Sequence, residues 1–154
     1  MSDCEARLIR ADELDSLLSL YGHLHDADDA PERGEALNEL WDGMMRNPDY
    51  SFIVIEQDGR LVSACFMAVI HNLTRKAQPY AVIENVVTHG DYRRRGFGKA
   101  VLAKALEIAA GRGCYKAMLM TGSKRPEVLA FYREAGFDGG AKTAFIVRIE
   151  QQEG

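Results

Sequence analysis

Apolar residues recur at intervals of three and four along two segments in the first third of the chain. The first segment contains Leu14, Leu17, Leu18, Tyr21 and Leu24. The second follows Pro31 and contains Leu37, Leu40, Trp41, Met44 and Met45. This spacing is the period of a helix with one buried face, so the pattern predicts two amphipathic helices. A short strand is expected at residues 6–9, before the first helix.

The period changes to that of β-strands after residue 50. Residues 52–56 and 61–70 are apolar runs, and Asp58-Gly59 between them is typical of a tight hairpin turn. A third run, residues 80–88, is rich in β-branched side chains, which favour strands. The pattern therefore predicts an antiparallel meander of three strands.

The second half of the chain alternates helix and strand. A helix is expected at residues 97–111 and a strand at 115–121, and their order after the strand at 80–88 predicts a parallel crossover. A short helix at 125–135 begins near Pro126 and ends at Gly136, and a last strand is expected at 144–149. These elements predict a single α/β domain over residues 1–154.

Composition restricts the classes of function. With 154 residues, 47% of them hydrophobic and 27% charged, the chain has the balance of an ordinary globular domain. Its formal net charge of −4 argues against a nucleic-acid partner, which normally requires a cationic surface. No apolar run approaches a membrane span and the N-terminus lacks a signal sequence, so we expect no membrane contact and a cytoplasmic location. Cys4, Cys65 and Cys114 lack metal-ligand spacing, and no metal site is predicted.

A basic, glycine-rich turn follows the strand at residues 80–88. It consists of Arg93, Arg94, Arg95, Gly96, Phe97, Gly98 and Lys99. The first N–H groups of a helix have no partner within the helix and carry partial positive charge, so they attract phosphate. Gly96 and Gly98 let phosphate oxygens approach the backbone, and the basic side chains add charge. The spacing differs from the GxxxxGK[ST] of triphosphate sites and the GxGxxG of dinucleotide sites.

The RxxGxG pattern filled by Arg93, Gly96 and Gly98 resembles the acetyl-CoA motif of the GNAT superfamily of N-acetyltransferases. Residues 83–88, IENVVT, are similar to that family's fourth strand, and residues 128–137, VLAFYREAGF, to its later FY-x-x-x-GF motif. The resemblance implies an α/β fold with a central, mixed, mostly antiparallel sheet of about six to seven strands flanked by about four helices. It also implies acetyl-CoA as the co-substrate.

The resemblance further implies which residues bind the cofactor. The backbone expected to pair with the pantetheine arm belongs to Val86, Val87 and Thr88. The amides of residues 93–99 would hold the pyrophosphate. Many relatives carry an Asn where this chain has Arg125, so that contact with the cofactor is expected to pass to Ser123 or Lys124.

Two residues are candidates for proton transfer during acetylation of an amine. By the resemblance, Tyr132 would protonate the departing thiolate, and the alternative is a tyrosine that only packs. Glu84 would accept the proton of the amine or hold its ammonium group, and the alternative is an exposed residue at a strand end. His71 and His89 are candidates by residue type only.

The acceptor is expected to be a small-molecule amine chosen by residues 20–45 and 71–80. The first of these segments contains a group of acidic residues that would suit a cationic amine, although a solvated loop explains them equally well. They are Asp26, Asp28, Asp29, Glu32 and Glu35. Three short segments together resemble the glucosamine-phosphate acetyltransferases within the superfamily. They are His71-Asn72, residues 83–87 and Cys114-Tyr115-Lys116. Polyamines, aminoglycosides, amino acids and protein N-termini stay open as acceptors.

Two other functions are alternatives to small-molecule acetylation. One is a non-catalytic module that senses acyl-CoA, and the other is acetylation of a protein or peptide. A homodimer is also possible, because residues 144–149 are apolar enough to form an interface. His23 and His25 lack the spacing of a helical metal site.

Overall fold

A computed structural model of the chain describes residues 5–24 and 30–150. Within these residues the chain forms two compact units, one up to Leu119 and one from Met120 onward. Five residues discussed above lie outside the described residues: Cys4, His25, Asp26, Asp28 and Asp29. The expectations that rest on them receive no structural account.

A mixed sheet in the order β1-β2-β3-β4-β5 forms the first unit, and the described residues give it five strands. The strands are β1 (Arg7–Leu8), β2 (Tyr50–Gln57), β3 (Arg60–Ile70), β4 (Tyr80–Thr88) and β5 (Ala117–Leu119). Strands β1 to β4 pair antiparallel, whereas β4 and β5 pair parallel. The predicted meander and the parallel crossover are therefore confirmed.

The hairpin between β2 and β3 has the turn that its sequence predicts. Asp58 and Gly59 have φ angles of 54° and 77°. Positive φ at both central residues is the geometry of a type I′ turn, which matches the right-handed twist of the two strands. Asp and Gly adopt this conformation more easily than most residues, so the pair fixes the register of the hairpin.

Two helices cover one face of the sheet. They are α1 (Leu14–Tyr21) and α2 (Glu35–Arg46). Their buried residues, Leu17, Leu20 and Trp41, form one cluster with Phe52, Val54 and Val87 of the sheet. The Trp41 indole nitrogen donates to the Ala11 carbonyl at 2.9 Å, which joins α2 to the residues that precede α1.

Helix α3 (Phe97–Gly111) packs against the opposite face of β2, β3 and β4. The Cys65 thiol of β3 lies 3.6 Å from the Val101 carbonyl of α3. Val101, Leu102 and Ala105 are fully buried. Burial of a side chain such as Leu102 contributes about 1.5–3 kcal/mol. Burial also raises the pKa of the Cys65 thiol to about 12, so Cys65 is a packing residue rather than a nucleophile.

The predicted number of strands was too high. The resemblance implies about six to seven strands, but the described residues contain five. The strand expected at residues 144–149 is absent from the described structure, where these residues make no sheet pairing. Phe145, Ile146 and Val147 are 91%, 66% and 80% exposed. Apolar character alone does not make a strand, because the backbone N–H and C=O groups must also find a neighbouring strand.

The second unit contains helix α4 (Pro126–Glu134). Its C-terminus is closed by two backbone bonds, Gly136 N–H to the Arg133 carbonyl at 2.9 Å and Phe137 N–H to the Tyr132 carbonyl at 3.0 Å. Gly136 has a φ of 102°, and the Tyr132 and Phe137 rings are 6.4 Å apart. This is a Schellman motif with its usual apolar contact, which explains the spacing of Tyr132, Gly136 and Phe137. No helix among the described residues is long and apolar enough to cross a membrane.

Candidate functional site

Strand β4 has a doubly paired half and an open half. Its pairing with β5 runs from Ala81 to Ile83 within the described chain. Its pairing with β3 continues to Thr88. The edge of residues 84–88 on the side of β5 therefore has no β5 strand against it. Such an edge presents backbone N–H and C=O groups that an extended ligand can pair with, as an added strand does.

A β-bulge marks the change from the paired half to the open half. Ala64 of β3 lies opposite Val87, and Phe66 lies opposite Glu84, so β4 holds one residue more than β3 over this stretch. Asn85 in the bulge has a φ of 55°, a left-handed conformation that Asn tolerates better than most residues. The buried Ser63 hydroxyl donates to the Val87 carbonyl at 3.1 Å and lies 2.9 Å from the Thr88 hydroxyl. These bonds hold β4 in place just after the bulge.

The register places Glu84 on the face covered by α1 and α2. Glu84 is opposite Phe66, and Phe66 is opposite Phe52. Residues directly opposite each other point to the same face, with their Cβ atoms about 5 Å apart. Phe52 and Phe66 belong to the cluster beneath α1 and α2. Glu84 itself is exposed, so its carboxylate ends a row of aromatic side chains at the open half of β4.

The basic turn leads directly into α3. Arg94 and Gly96 have φ angles of 65° and 83°, and Gly96 is the last residue before the helix. The first bond of the helix joins the Ala100 N–H to the Gly96 carbonyl at 3.0 Å. The N–H groups of Phe97 and Gly98 precede this bond and emerge at the positive end of the helix dipole. Arg93, Arg94 and Arg95 are exposed beside them.

Tyr92 anchors this turn, and no motif in the sequence singles it out. The side chain is buried, and its hydroxyl donates to the Asp58 carboxylate at 2.7 Å. The Arg95 and Arg60 guanidinium groups lie 5.0 and 5.4 Å from the centre of its ring. The Tyr92 and Phe97 rings are 6.3 Å apart. Tyr92 thus links the β2–β3 hairpin to the start of α3.

Two histidines support the chain between β4 and the turn. The His89 Nδ1 accepts from the Asp91 N–H at 3.1 Å, and the His23 Nδ1 accepts from the Gly90 N–H at 3.4 Å. Their ring centres are 4.0 Å apart. Burial, followed by the nearby His23 and Arg60, lowers the pKa of His89 below its usual 6.5, although Asp91 opposes the shift. His89 is therefore neutral at pH 7, as its acceptor role requires.

His71 lies in a different cluster, at the far end of β3. Its Nε2 is 3.1 Å from the Asp49 carboxylate, which also accepts from Arg112 at 2.6 Å. Hydrogen bonds from Arg112 and then His71 lower the pKa of Asp49. Arg112 also donates to the Pro48 carbonyl at 2.7 Å. The cluster ties three loops together. It lies near Ile70, which pairs with Tyr80 at the start of β4, whereas the open half is at the end of β4.

A cavity of about 190 Å³ lies between α1, α2 and the sheet. Its residues include Leu18 and Tyr21 of α1, Leu37 of α2, and Phe66 and Asn85 of the sheet. The Tyr21 hydroxyl and the Asn85 side chain are hydrogen-bonded to each other, and burial raises the pKa of Tyr21 to about 12. The cavity and the bulge are therefore adjacent.

The remaining predicted residues belong to the second unit. Ser123 precedes α4, and its hydroxyl accepts from the Arg125 N–H at 3.2 Å. The Arg125 side chain pairs with Glu127 at 2.7 Å, and Lys124 is exposed. Tyr132 is half-buried in α4 and packs against Phe131, with ring centres 5.0 Å apart. The structure thus groups Glu84, Val86, Val87, Thr88 and the basic turn in the first unit, and Ser123 and Tyr132 in the second.

Known proteins resemble this chain in sequence and in fold. A family model described as "Acetyltransferase (GNAT) family" matches residues 14–137. A glucosamine 6-phosphate N-acetyltransferase of Trypanosoma brucei brucei is 33% identical over 88% of this chain and 89% of its own length.

Solved structures give the same result. An Agrobacterium tumefaciens protein described as an acetyltransferase is 39% identical, covers 94% of this chain and 99% of its own, and superposes with a TM-score of 0.86. A Trypanosoma brucei acetyltransferase is 28% identical, covers 96% of this chain and 98% of its own, and has a TM-score of 0.79.

Proposed function

This chain belongs to the acetyltransferase (GNAT) family, and we propose that it transfers the acetyl group of acetyl-CoA to the primary amine of a small molecule. The chain is accordingly an acetyl-CoA-dependent N-acetyltransferase. The observation that carries the proposal is the open half of β4, which leads within a few residues to the N-terminus of α3. An open strand edge can pair with an extended arm. A helix N-terminus can hold a pyrophosphate.

The residues present fit acetyl-CoA. In our proposal the backbone of Val86, Val87 and Thr88 pairs with the pantetheine arm at the open edge. The N–H groups of Phe97 and Gly98 receive the pyrophosphate, where Gly96 adds no side chain. Positive charge at the rim comes from Arg93, Arg94, Arg95 and Lys99, and Ser123 is a further contact. Bound acetyl-CoA supplies a thioester whose carbonyl an amine can attack directly.

Glu84 is the proposed general base. An amine attacks only after its ammonium form loses a proton, and an exposed carboxylate at the bulge can accept that proton directly or through water. Glu84 also attracts the ammonium group before the proton leaves. Its position supports this role, because its exposed carboxylate lies immediately before the bulge, where the pairing of β4 with β5 has ended.

Tyr132 is the proposed general acid, which donates its phenolic proton to the departing thiolate. The matched family region, residues 14–137, begins in the first compact unit and continues into the second as far as Phe137. We therefore propose that residues 1–154 act as a single catalytic domain, with Glu84 and Tyr132 serving the same reaction.

Glucosamine 6-phosphate is the first acceptor to test, because the Trypanosoma brucei brucei relative is named for it. The assay follows thiol release from acetyl-CoA in the presence of different amines. The melting temperature with and without acetyl-CoA is measured in parallel, because a ligand that binds the native state raises it. Absence of a thermal shift at saturating acetyl-CoA would overturn the proposal.

The Tyr132→Phe variant tests the mechanism, with Tyr50→Phe at the start of β2 as the matched control. We expect Tyr132→Phe to lower kcat about 100-fold or more while the thermal shift by acetyl-CoA stays at the wild-type value. Tyr50→Phe should retain kcat. A wild-type protein that binds acetyl-CoA but releases no thiol with any amine is a sensor, not an enzyme, and release with a peptide alone would point to a peptide acceptor.

A further inference from the structure

The cavity beneath α1 and α2 has the chemistry of a binding site for an apolar group. Apart from Asn85 and the Tyr21 hydroxyl, its described lining consists of leucine, methionine, phenylalanine and tryptophan side chains. The Trp41 indole N–H is already bonded to the Ala11 carbonyl. Tyr21 and Asn85 are bonded to each other. Each of these three polar side chains thus has a hydrogen-bond partner within the protein, and the rest of the described lining is hydrocarbon.

The volume of the cavity sets the size of that group. A cavity of about 150 Å³ lined by apolar side chains is large enough to bind benzene. At about 190 Å³ this cavity can therefore hold a phenyl ring or a branched aliphatic chain of similar size. Leu40 at its rim is 60% exposed, so an apolar surface continues from the interior to solvent.

The cavity lies beside the proposed base. Phe66 lines the cavity and is the direct cross-strand neighbour of Glu84. Asn85, the next residue along β4, also lines it. An amine whose ammonium group meets the Glu84 carboxylate can therefore extend its carbon chain over Phe66 into the cavity.

A phosphate group does not suit this cavity. No Lys, Arg or His is present among the described residues that line it. Placing a doubly charged phosphate against hydrocarbon without a cationic partner is strongly unfavourable. The lining thus separates two kinds of acceptor, amines with an apolar substituent and amines with a phosphorylated sugar.

We propose that the acceptor is a primary amine with an apolar substituent about the size of a phenyl ring, which binds in the cavity between α1, α2, Phe66 and Asn85. This inference rests on the proposed acetylation of a small-molecule amine. It names the class of substrate that the same site selects.

Acetyl transfer by the full chain to three amines tests the inference. The amines are 2-phenylethylamine, ethylamine and glucosamine 6-phosphate. We expect kcat/KM for 2-phenylethylamine to exceed that for ethylamine by about 10- to 100-fold, the gain expected from burying one phenyl ring. Glucosamine 6-phosphate should have a lower kcat/KM than 2-phenylethylamine.

Two variants locate the effect. Leu40→Glu adds a charge at the rim, and Leu37→Phe fills part of the interior. Both should raise KM for 2-phenylethylamine about tenfold or more, and should raise KM for ethylamine less. Leu8→Glu is the matched control, because Leu8 on β1 is 53% exposed, similar to Leu40, and is not among the residues that line the cavity. A melting temperature close to that of the wild type shows that each variant is folded.

The outcomes separate this inference from the function on which it rests. Efficient acetylation of glucosamine 6-phosphate that ignores Leu40→Glu and Leu37→Phe would overturn the apolar acceptor and leave the acetyltransferase function intact. Equal kcat/KM for 2-phenylethylamine and ethylamine would do the same. Failure of every amine to release thiol would overturn the proposed function itself, and the apolar acceptor with it.

Discussion

The two halves of β4 follow each other directly in sequence but have different surroundings. Residues 81–83 pair with β3 on one side and β5 on the other, and Ala81 and Ile83 are buried. Residues 84–88 pair with β3 alone among the five strands, and Glu84 and Asn85 are exposed. Residues 81–83 thus have both backbone edges paired, whereas residues 84–88 have one edge without a strand of the sheet against it. Only an unpaired edge presents backbone N–H and C=O groups that an extended ligand can pair with.

The first way to break this comparison is to damage the closed half. Ile83 is 1% exposed, so Ile83→Ala removes buried hydrocarbon and leaves a cavity. We expect the free energy of unfolding to fall by about 2–5 kcal/mol, and by about 0.5–1.5 kcal/mol in the Ile83→Val control. Urea denaturation measures both values. KM for acetyl-CoA should not change, and a large change in KM would show that the closed half also serves the ligand.

The Glu84→Gln variant tests the open half. Glutamine keeps the shape of the side chain but cannot accept a proton, so kcat/KM for the amine should fall about 100-fold. Because Glu84 is exposed, the free energy of unfolding should change by no more than about 0.5 kcal/mol. Glu107→Gln on α3 is the control. Wild-type turnover by Glu84→Gln would assign the proton to water or to a backbone carbonyl.

Substitutions at Asn85 test the bulge between the halves. A β-branched residue adopts the observed φ of 55° with difficulty, whereas glycine adopts it freely. Both Asn85→Val and Asn85→Gly lose the bond to Tyr21, so the difference between them isolates the backbone. We expect the valine variant to be less stable than the glycine variant by about 1–2 kcal/mol. Equal stabilities would mean that the bulge relaxes without cost.

The smallest effect should come from pH, through His89 at the end of the open half. Because its pKa is lowered from 6.5 in the folded protein, the unfolded chain binds the proton more tightly. The stabilising contribution is therefore present above pH 6.5 and is lost as the pH falls through the lowered pKa. Protonated Nδ1 cannot accept from the Asp91 N–H, which lies next to the basic turn.

We expect the melting temperature to fall and KM for acetyl-CoA to rise below pH 6.5, by less than about tenfold in KM. The charged and titratable groups that act on His89 are His23, Arg60, Asp91 and Arg93. The His89→Gln variant keeps a polar side chain without titrating. Its KM should depend less on pH, and an unchanged profile would assign the effect to another group.

The regular elements were predictable because their periods are long and uninterrupted. The pattern predicted residues 80–88 and 97–111, and β4 and α3 have these bounds. Short elements were less accurate, because β1 and β5 end where their pairing ends rather than where the apolar residues end. The prediction of a strand at residues 144–149 was wrong because these apolar residues have no strand pairing in the described structure. Its run of adjacent apolar residues, unlike an alternating pattern, does not indicate which face would be buried.

The part of the site that could be predicted is the part whose chemistry depends on residues close together in the sequence. Glycine spacing and the helix start identified the turn at residues 93–99 as a phosphate site, which stays a prediction. The bulge was not predicted, although the polar pair Glu84-Asn85 interrupts an apolar strand. The cavity and the Tyr92 anchor were missed because they depend on contacts between α1, α2, β2 and β3, residues far apart in the chain.

The bulge also restricts how such a strand can arise during evolution. In a regular strand, residues 84 and 87 would point to opposite faces, because side chains alternate. Here Glu84 and Val87 share a face, since β4 carries one residue more than β3 between them. Substitutions preserve the count of residues, whereas insertion or deletion of a single codon changes it. Deletion of codon 86 would restore regular alternation over this stretch and put Glu84 and Val87 on opposite faces.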